Sequence, residues 1–301
     1  MPLSAAMTPS QQQKAAPAAS TSATAFQLVK DLATELSAGT ISLPSYPQVA
    51  LRLQKLLVDE SSDADRLVRV LGAEPVLAAR VATMAGSAAL NPTGRKIADL
   101  RTAVVLLGFD ALRTTAAAFA MVQIRQANEF KGIEKPMAAL WRESVARAAM
   151  SYVVARATGL FSPDTAMLAG ILSGIGKLYL LTRASKYPDL FADDAGFHSI
   201  VRDWHSSVAQ ALLESWQTVP EIVVAVRDWS TAADDSRSNA ELADVLSAAD
   251  LLLSHSEAPE LLQGLLADSP PMQRLGLKAG CASLLADSAA ELESLRRALS
   301  G

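Results

Sequence analysis

Three histidines, His198, His205 and His255, and one cysteine, Cys281, supply all the imidazole and thiol in this chain of 301 residues. A hydrolytic metal centre needs several nitrogen and oxygen donors converging on one ion, with a position left open for water. So few histidines can provide only part of such a set, and carboxylates would have to complete it. Cys281 has no base near it in sequence and reads as a small buried hydrophobe rather than a nucleophile. No Gly-x-x-x-x-Gly-Lys-Ser/Thr loop and no Gly-x-Ser-x-Gly elbow occurs. The run Gly170-Ile171-Leu172-Ser173-Gly174-Ile175-Gly176-Lys177 is glycine-rich but lies inside a helical pattern. Its glycines suit close helix approach better than phosphate binding. Arg80, Arg95, Lys96, Arg101 and Arg113 gather basic charge in the amino-terminal half, and Arg95-Lys96 is the candidate anion patch. A solvated face with ion pairs is the preferred reading of that charge.

The elements that would carry any site centre on Pro136 to Arg183. Pro136 stands where a first-turn proline is tolerated. Leu140, Ser144, Val145, Ala148, Ala149, Tyr152 and Val153 then recur at helical spacing and give one apolar or small-residue face. Gly159 ends that helix. Ser162-Pro163-Asp164 starts another with a cap oxygen, a proline and an acid at the positive end of the dipole. From Ala166 to Leu181 nearly every residue is apolar or small, the signature of a helix buried on all sides.

Composition sets the frame around this pair. Half of the residues are hydrophobic and only 5% are aromatic, so the core must be built largely from Ala, Leu and Val. Ala and Leu outweigh the strand-favouring types, which predicts an all-α fold. The net charge of −4 gives no general attraction to nucleic acid or an anionic membrane. A single cysteine rules out an intrachain disulfide and fits a reducing cytoplasm. The first residues lack a basic stretch followed by an apolar core, so no signal peptide is expected, and Lys177 interrupts the best membrane-spanning candidate.

In chain order, 1–24 is low in complexity and reads as a disordered tail. Leu28, Leu32 and Leu36 line a helix that Gly39 stops. Further helices follow around Val49–Leu57, after a cap at Ser61 or Ser62, and from Glu74-Pro75. Residues Asn91 to Lys96 form a loop, Ile97–Leu107 a short amphipathic helix, and Asp110 is the expected cap of a helix over 111–127. A polar break over 187–195 precedes helices at His198–Trp216 and from Pro220. Residues 240–301 form a helical extension. The expected units are 25–130, 136–230 and 240–301. His198 and His255 are expected in solvent and His205 in the core or at a helix cap.

Several of these segments, in order, resemble the HDOD family, a relative of the metal-dependent HD proteins. The amino-terminal matches are Leu43-Pro44-Ser45-Tyr46-Pro47-Gln48-Val49-Ala50, Glu74-Pro75-Val76-Leu77-Ala78-Ala79-Arg80, Ala85-Gly86-Ser87-Ala88 and Leu100 to Gly108. Glu74 and Gly86 depart from the family's Asp and Asn. Trp204-His205-Ser206-Ser207-Val208 and Trp216 to Val226 match its later part. The HD contexts survive as Leu140-Trp141-Arg142-Glu143-Ser144 and as Ala169 to Leu178. In HD proteins the first context carries a metal-binding His and the second an adjacent His-Asp pair. Glu143 stands at the first position and Ser173-Gly174 at the second.

The resemblance implies a multi-helical fold in which an amino-terminal helical subdomain packs on a degenerate HD-type subdomain. It implies a bacterial, cytoplasmic signalling or regulatory protein, non-enzymatic, with no cofactor, acting through a protein partner. A small ligand could gate it in a pocket lined by Glu143, Ser173, Gly174, Lys177 and His205. His205 and Asp250, in Ala248-Ala249-Asp250-Leu251-Leu252, match later HD-site positions and are the residual metal candidates beside Glu143. A divergent metal-dependent phosphohydrolase or phosphodiesterase is the alternative, and a nucleotide- or nucleic-acid-binding regulator the third reading.

Overall fold

The computed structural model describes residues 16–43, 47–59, 61–127, 130–187, 190, 194–233, 236–256, 269–277 and 281–300, without the side chains of 16–23, 194–195 and 281–282. Regular structure among these residues is helical throughout, as expected. The helices are α1 (Ala16–Ala38), α2 (Gln48–Val58), α3 (Ala64–Gly72), α4 (Pro75–Ala85), α5 (Leu100–Gln126), α6 (Glu134–Thr158) and α7 (Pro163–Leu172). They continue with α8 (Ile175–Ala184), α9 (Asp194–Ser215), α10 (Pro220–Asp228), α11 (Leu242–Ser254), α12 (Pro270–Arg274), α13 (Cys281–Asp287) and α14 (Ala289–Ser300). One core runs through both halves. Leu53, Leu67, Leu77 and Leu112 fill it on one side, and Ala148, Met167, Ile175 and Leu212 on the other. Helix α5 bridges them, packing on α2, α3 and α4 and also on α6 and α7.

Local chemistry sets the helix ends. Gly39 and Gly159 take left-handed φ of 62° and 66° where α1 and α6 stop. The Ser162 hydroxyl accepts from the Thr165 N–H at 3.3 Å and Pro163 opens α7. Proline likewise opens α4 at Pro75 and α10 at Pro220. The cap of α3 is Asp63, which accepts from the Arg66 N–H at 2.7 Å, not Ser61 or Ser62. The Ser61 hydroxyl is turned instead onto Asp59 Oδ1 at 2.6 Å. Gly108, at φ 70°, kinks α5 where two separate helices were expected. Asp110 does not receive a backbone N–H there; its carboxylate accepts from Arg113 and, at 3.5 Å, from Thr165 Oγ1.

Other expectations need correction. Helix α1 begins at Ala16, so 16–24 is helical and not tail; alanine, the strongest helix former, is frequent there. Residues 1–15 lie outside the described ones. The apolar run expected as one helix from Ala166 to Leu181 divides at Ser173-Gly174 into α7 and α8. The Ser173 hydroxyl donates to the Gly170 carbonyl at 2.7 Å, a local bond that competes with the helical ladder. The Cys281 side chain is not among those described. Two stretches, Leu100–Gln126 and Pro163–Ala184, are by length and composition apolar enough to cross a membrane if a charge or two is tolerated, but 67% and 89% of their most apolar windows are buried within the fold.

Close approach of helices is what the glycines permit. A Cβ at Gly170 would lie 2.5 Å from the Ala148 Cα, so α7 rests directly on the α6 backbone. A Cβ at Gly176 would lie 2.9 Å from the His205 carbonyl carbon and nearer still to its oxygen, so α8 lies as close on α9.

Candidate functional site

Helices α6, α7, α8, α9 and α11 converge at the Ser173-Gly174 turn, and a charged residue sits at its centre. Arg147 lies one helical turn after Glu143 on α6 and is 5% exposed. Its guanidinium donates through Nε and Nη2 to Asp250 Oδ1 at 3.1 and 2.6 Å, and through Nη1 to Ser173 Oγ at 3.0 Å. Its guanidinium carbon lies over the Trp229 ring, 4.3 Å from the centroid. One side chain thus joins α6, the α7–α8 turn, α11 and the short 3-10 turn after α10. A planar fork with fixed donors suits this work, and a lysine could not reproduce it.

The residues singled out from the sequence distribute around this cation. Ser173 is buried with its hydroxyl fully used, donating to Gly170 and accepting from Arg147. Gly174 is buried; a Cβ there would lie 2.5 Å from Ser144 Oγ. Asp250 is paired with Arg147 and its side chain is 40% exposed. His205 is buried on α9, as expected, with Nδ1 3.4 Å from Ser206 Oγ. Burial, then the charges of Lys177 and Arg147, holds its imidazolium below the usual histidine range. Lys177 is half-buried, and burial, then Arg147, lowers its ammonium while Glu143 and Asp250 work against that shift. Glu143 is exposed and lines, with Lys177, a groove of about 300 Å³. His198 lies exposed at the same groove. His255 is half-buried, not solvated, because Nδ1 meets the Leu251 carbonyl at 2.9 Å.

The basic residues of the amino-terminal half do not assemble into one surface. Arg80 reaches the Leu299 carbonyl at 3.4 Å, Arg101 pairs with Asp65, and Arg113 bonds Asp110 and the Leu57 carbonyl. Arg95 and Lys96 are exposed on a loop whose shape is set by Asn91, which bonds the Arg95 N–H and carbonyl at 2.9 and 2.8 Å.

These residues do not fit a metal ion. Among the described residues no three His, Cys, Asp or Glu side chains come together to hold one. A guanidinium lies between Ser173 and Asp250, where two of the HD-like ligand positions face each other, and would repel a cation. No side chain fits at Gly174 without moving Ser144. Arg147 was not singled out in the sequence. Its signal was there: a lone charge between Ser144 and Ala148, on the face otherwise read as apolar or small. A second buried ionic cluster was also missed. Asp244 on α11 is fully buried, accepting from Arg274 Nη2 and Arg237 Nη2 through Oδ1 at 2.5 and 3.0 Å and from the Glu241 N–H through Oδ2 at 2.8 Å. Arg274 also donates to the Ala232 carbonyl at 2.6 Å, tying α12 and the segment before α11 to the core.

A sequence model of the HDOD domain matches residues 43–231. Among solved structures, the chain is similar to a candidate metal-dependent phosphohydrolase from Shewanella amazonensis SB2B at 22% identity and TM-score 0.74, over 92% of this chain and 99% of that one. It is similar to an HDOD domain protein of unknown function from Geobacter sulfurreducens at 23% identity and TM-score 0.64, over 89% and 96%. A candidate signal transduction protein from Marinobacter aquaeolei VT8 matches at 22% identity and TM-score 0.61, over 94% of this chain and 66% of that one. At these identities the likeness is one of fold. No curated protein matches the chain significantly.

Proposed function

The chain belongs to the HDOD domain family, and from that premise we propose that it is a non-enzymatic signalling module of the bacterial cytoplasm, acting through protein contacts and gated by a small ligand. The observation that carries this reading is the place of Arg147. A metal-dependent hydrolase needs an ion with an open position for water. Here a buried guanidinium occupies the space between Ser173 and Asp250, and it satisfies both. Its charge does the structural work of a cation, joining the helices, but it has no vacant orbital with which to activate water. A cytoplasmic setting is supported by the single cysteine. The signalling role is supported by the fold shared with the Marinobacter protein.

The test is elemental analysis of the full chain purified without chelator, combined with hydrolysis assays on phosphomono- and phosphodiesters in the presence of manganese or iron. The expected result is substoichiometric metal and no turnover. Stoichiometric iron, manganese or zinc together with hydrolysis lost in Asp250→Asn would overturn the reading.

A further inference from the structure

The groove beside the buried arginine carries two opposite charges that do not meet. Lys177 and Glu143 both line it, yet Lys177 forms no hydrogen bond or ion pair with any described residue. The neighbouring cations are not available to a ligand in the same way. Arg147 is held by Asp250 and Ser173, and burial keeps His205 toward its neutral form. Apart from the exposed His198 at its edge, the remaining wall is apolar, with Leu140, Leu181, Phe197 and Val201. The volume of about 300 Å³ is at the small end of ligand sites, which are lined mostly by apolar groups with a few placed polar ones.

We propose that this groove binds a zwitterionic small molecule with an apolar body, of the charge pattern and size of a free apolar amino acid. The carboxylate meets Lys177 Nζ, the ammonium meets Glu143, and the side chain lies against Leu140, Leu181, Phe197 and Val201. A half-buried ammonium with no directly bonded counter-ion is costly, and a ligand carboxylate supplies that partner as a charge-assisted bond. Glu143 selects against a plain fatty acid or phosphate, since either could meet Lys177 but brings no ammonium to pair with the Glu143 carboxylate. The proposal rests on the regulatory reading above, because it names the ligand class that would gate the module.

The experiment is isothermal titration of the full chain with L-leucine and L-phenylalanine as probes. N-acetyl-L-leucine, which lacks the ammonium, L-leucinamide, which lacks the carboxylate, and inorganic phosphate are the comparisons. The expected result is saturable binding of at least one probe, weakened about tenfold or more in each blocked analogue. Glu143→Gln and Lys177→Met should each weaken the probe by a similar factor. Lys177→Met should also melt at a higher temperature than the parent at neutral pH, because burial disfavours the Lys177 charge in the folded state. That separates loss of a ligand contact from loss of the fold. No binding by either probe, blocked analogues as tight as their parent, or phosphate binding without probe binding would each overturn the proposal. The metal analysis reads the non-enzymatic assignment independently, so the two can fail separately.

Discussion

Replacing Arg147 with methionine keeps most of the buried stem and removes the guanidinium, so it isolates the work of the charge. Three contributions are lost. The pair with Asp250 is made through two N–H groups, but the Asp250 side chain is 40% exposed and water can rehydrate it, so its loss is about 1 kcal/mol. Ser173 Oγ keeps its bond to Gly170 and loses only its donor from Arg147, about 1 kcal/mol. The contact with the Trp229 ring contributes about 1 kcal/mol, part of which the methionine sulfur restores. Removing the desolvation cost of the buried cation offsets some of this, leaving a destabilisation of roughly 2 kcal/mol.

Urea unfolding followed by far-UV dichroism reads that number, and with a slope of roughly 3 kcal/mol/M the midpoint falls by about 0.7 M. Urea is required, since guanidinium chloride would supply the deleted cation. Arg142→Met, at an exposed position of the same helix, is the control and should be nearly neutral. A double-mutant cycle with Asp250→Asn should give a coupling of about 1 kcal/mol. If Arg147→Met changed stability no more than the Arg142 control, or the coupling vanished, Arg147 would not be holding the junction together.

Three further perturbations follow from the same geometry. Asp244→Asn leaves Arg237 and Arg274 facing an amide in a fully buried position, and should cost about 3 kcal/mol and release the 269–277 segment to proteolysis, read by urea unfolding and peptide mapping. His205 has a folded-state pKa below its unfolded value, so the unfolded chain binds more protons; stability is complete above about pH 6.5 and declines as pH falls from there toward the folded pKa. His205→Gln should flatten that decline in melting temperature, and an unchanged slope would assign it to other groups. Tyr179→Phe removes the hydroxyl that donates to Glu35 and accepts from Arg183 Nε at 3.0 Å, one of the polar contacts between α1 and α8 beside the Arg183–Glu35 ion pair at 2.6 Å. That hydroxyl is held at a pKa of about 12 by burial and by Glu35. Faster hydrogen exchange confined to α1 is the expected readout, and unchanged exchange would mean that the leucine face with the Arg183–Glu35 and Tyr187–Asp31 contacts holds the helix without that hydroxyl.

Much of the helical frame could be read because its punctuation is local. Gly39, Gly159, Ser162-Pro163 and Glu74-Pro75 act within a turn of their own positions, so spacing alone located those ends. The misread positions each involve a choice between neighbours that only geometry makes. Ser61 is as good a cap by type as Asp63, and it lost because Asp59 took its hydroxyl. The break at Ser173 depends on a hydroxyl turning back on Gly170, inside a run whose hydropathy is continuous. The start of α1 was misread because a stretch poor in large apolar residues can still be helical where alanine dominates. The contacts of Arg147 span long separations, 26 residues to Ser173 and 103 to Asp250, and no period in a sequence reports such pairs.

Substituting ligands at the HD-like positions removes only the donors of a metal site; it does not by itself say what holds the helices together. A carboxylate at such a position, as Asp250 is, needs a counter-charge where no ion supplies one. Two outcomes are then open physically: the carboxylate turns out to water, or another cation comes in. Here the cation comes from within the chain, at the position one turn beyond Glu143 on α6, where an arginine is long enough to reach both the α7–α8 turn and α11. Burial first, and then the positive charge of Arg147, disfavour the charged forms of Lys177 and His205, with Lys177 adding to the effect on His205. Lys177 is left as an ammonium without a partner beside a groove, which is a state a ligand can relieve. Arg147 thus supplies the counter-charge of Asp250, while Lys177 beside it lines the groove with no hydrogen-bonded partner among the described residues, and the proposed small-molecule binding depends on that charge.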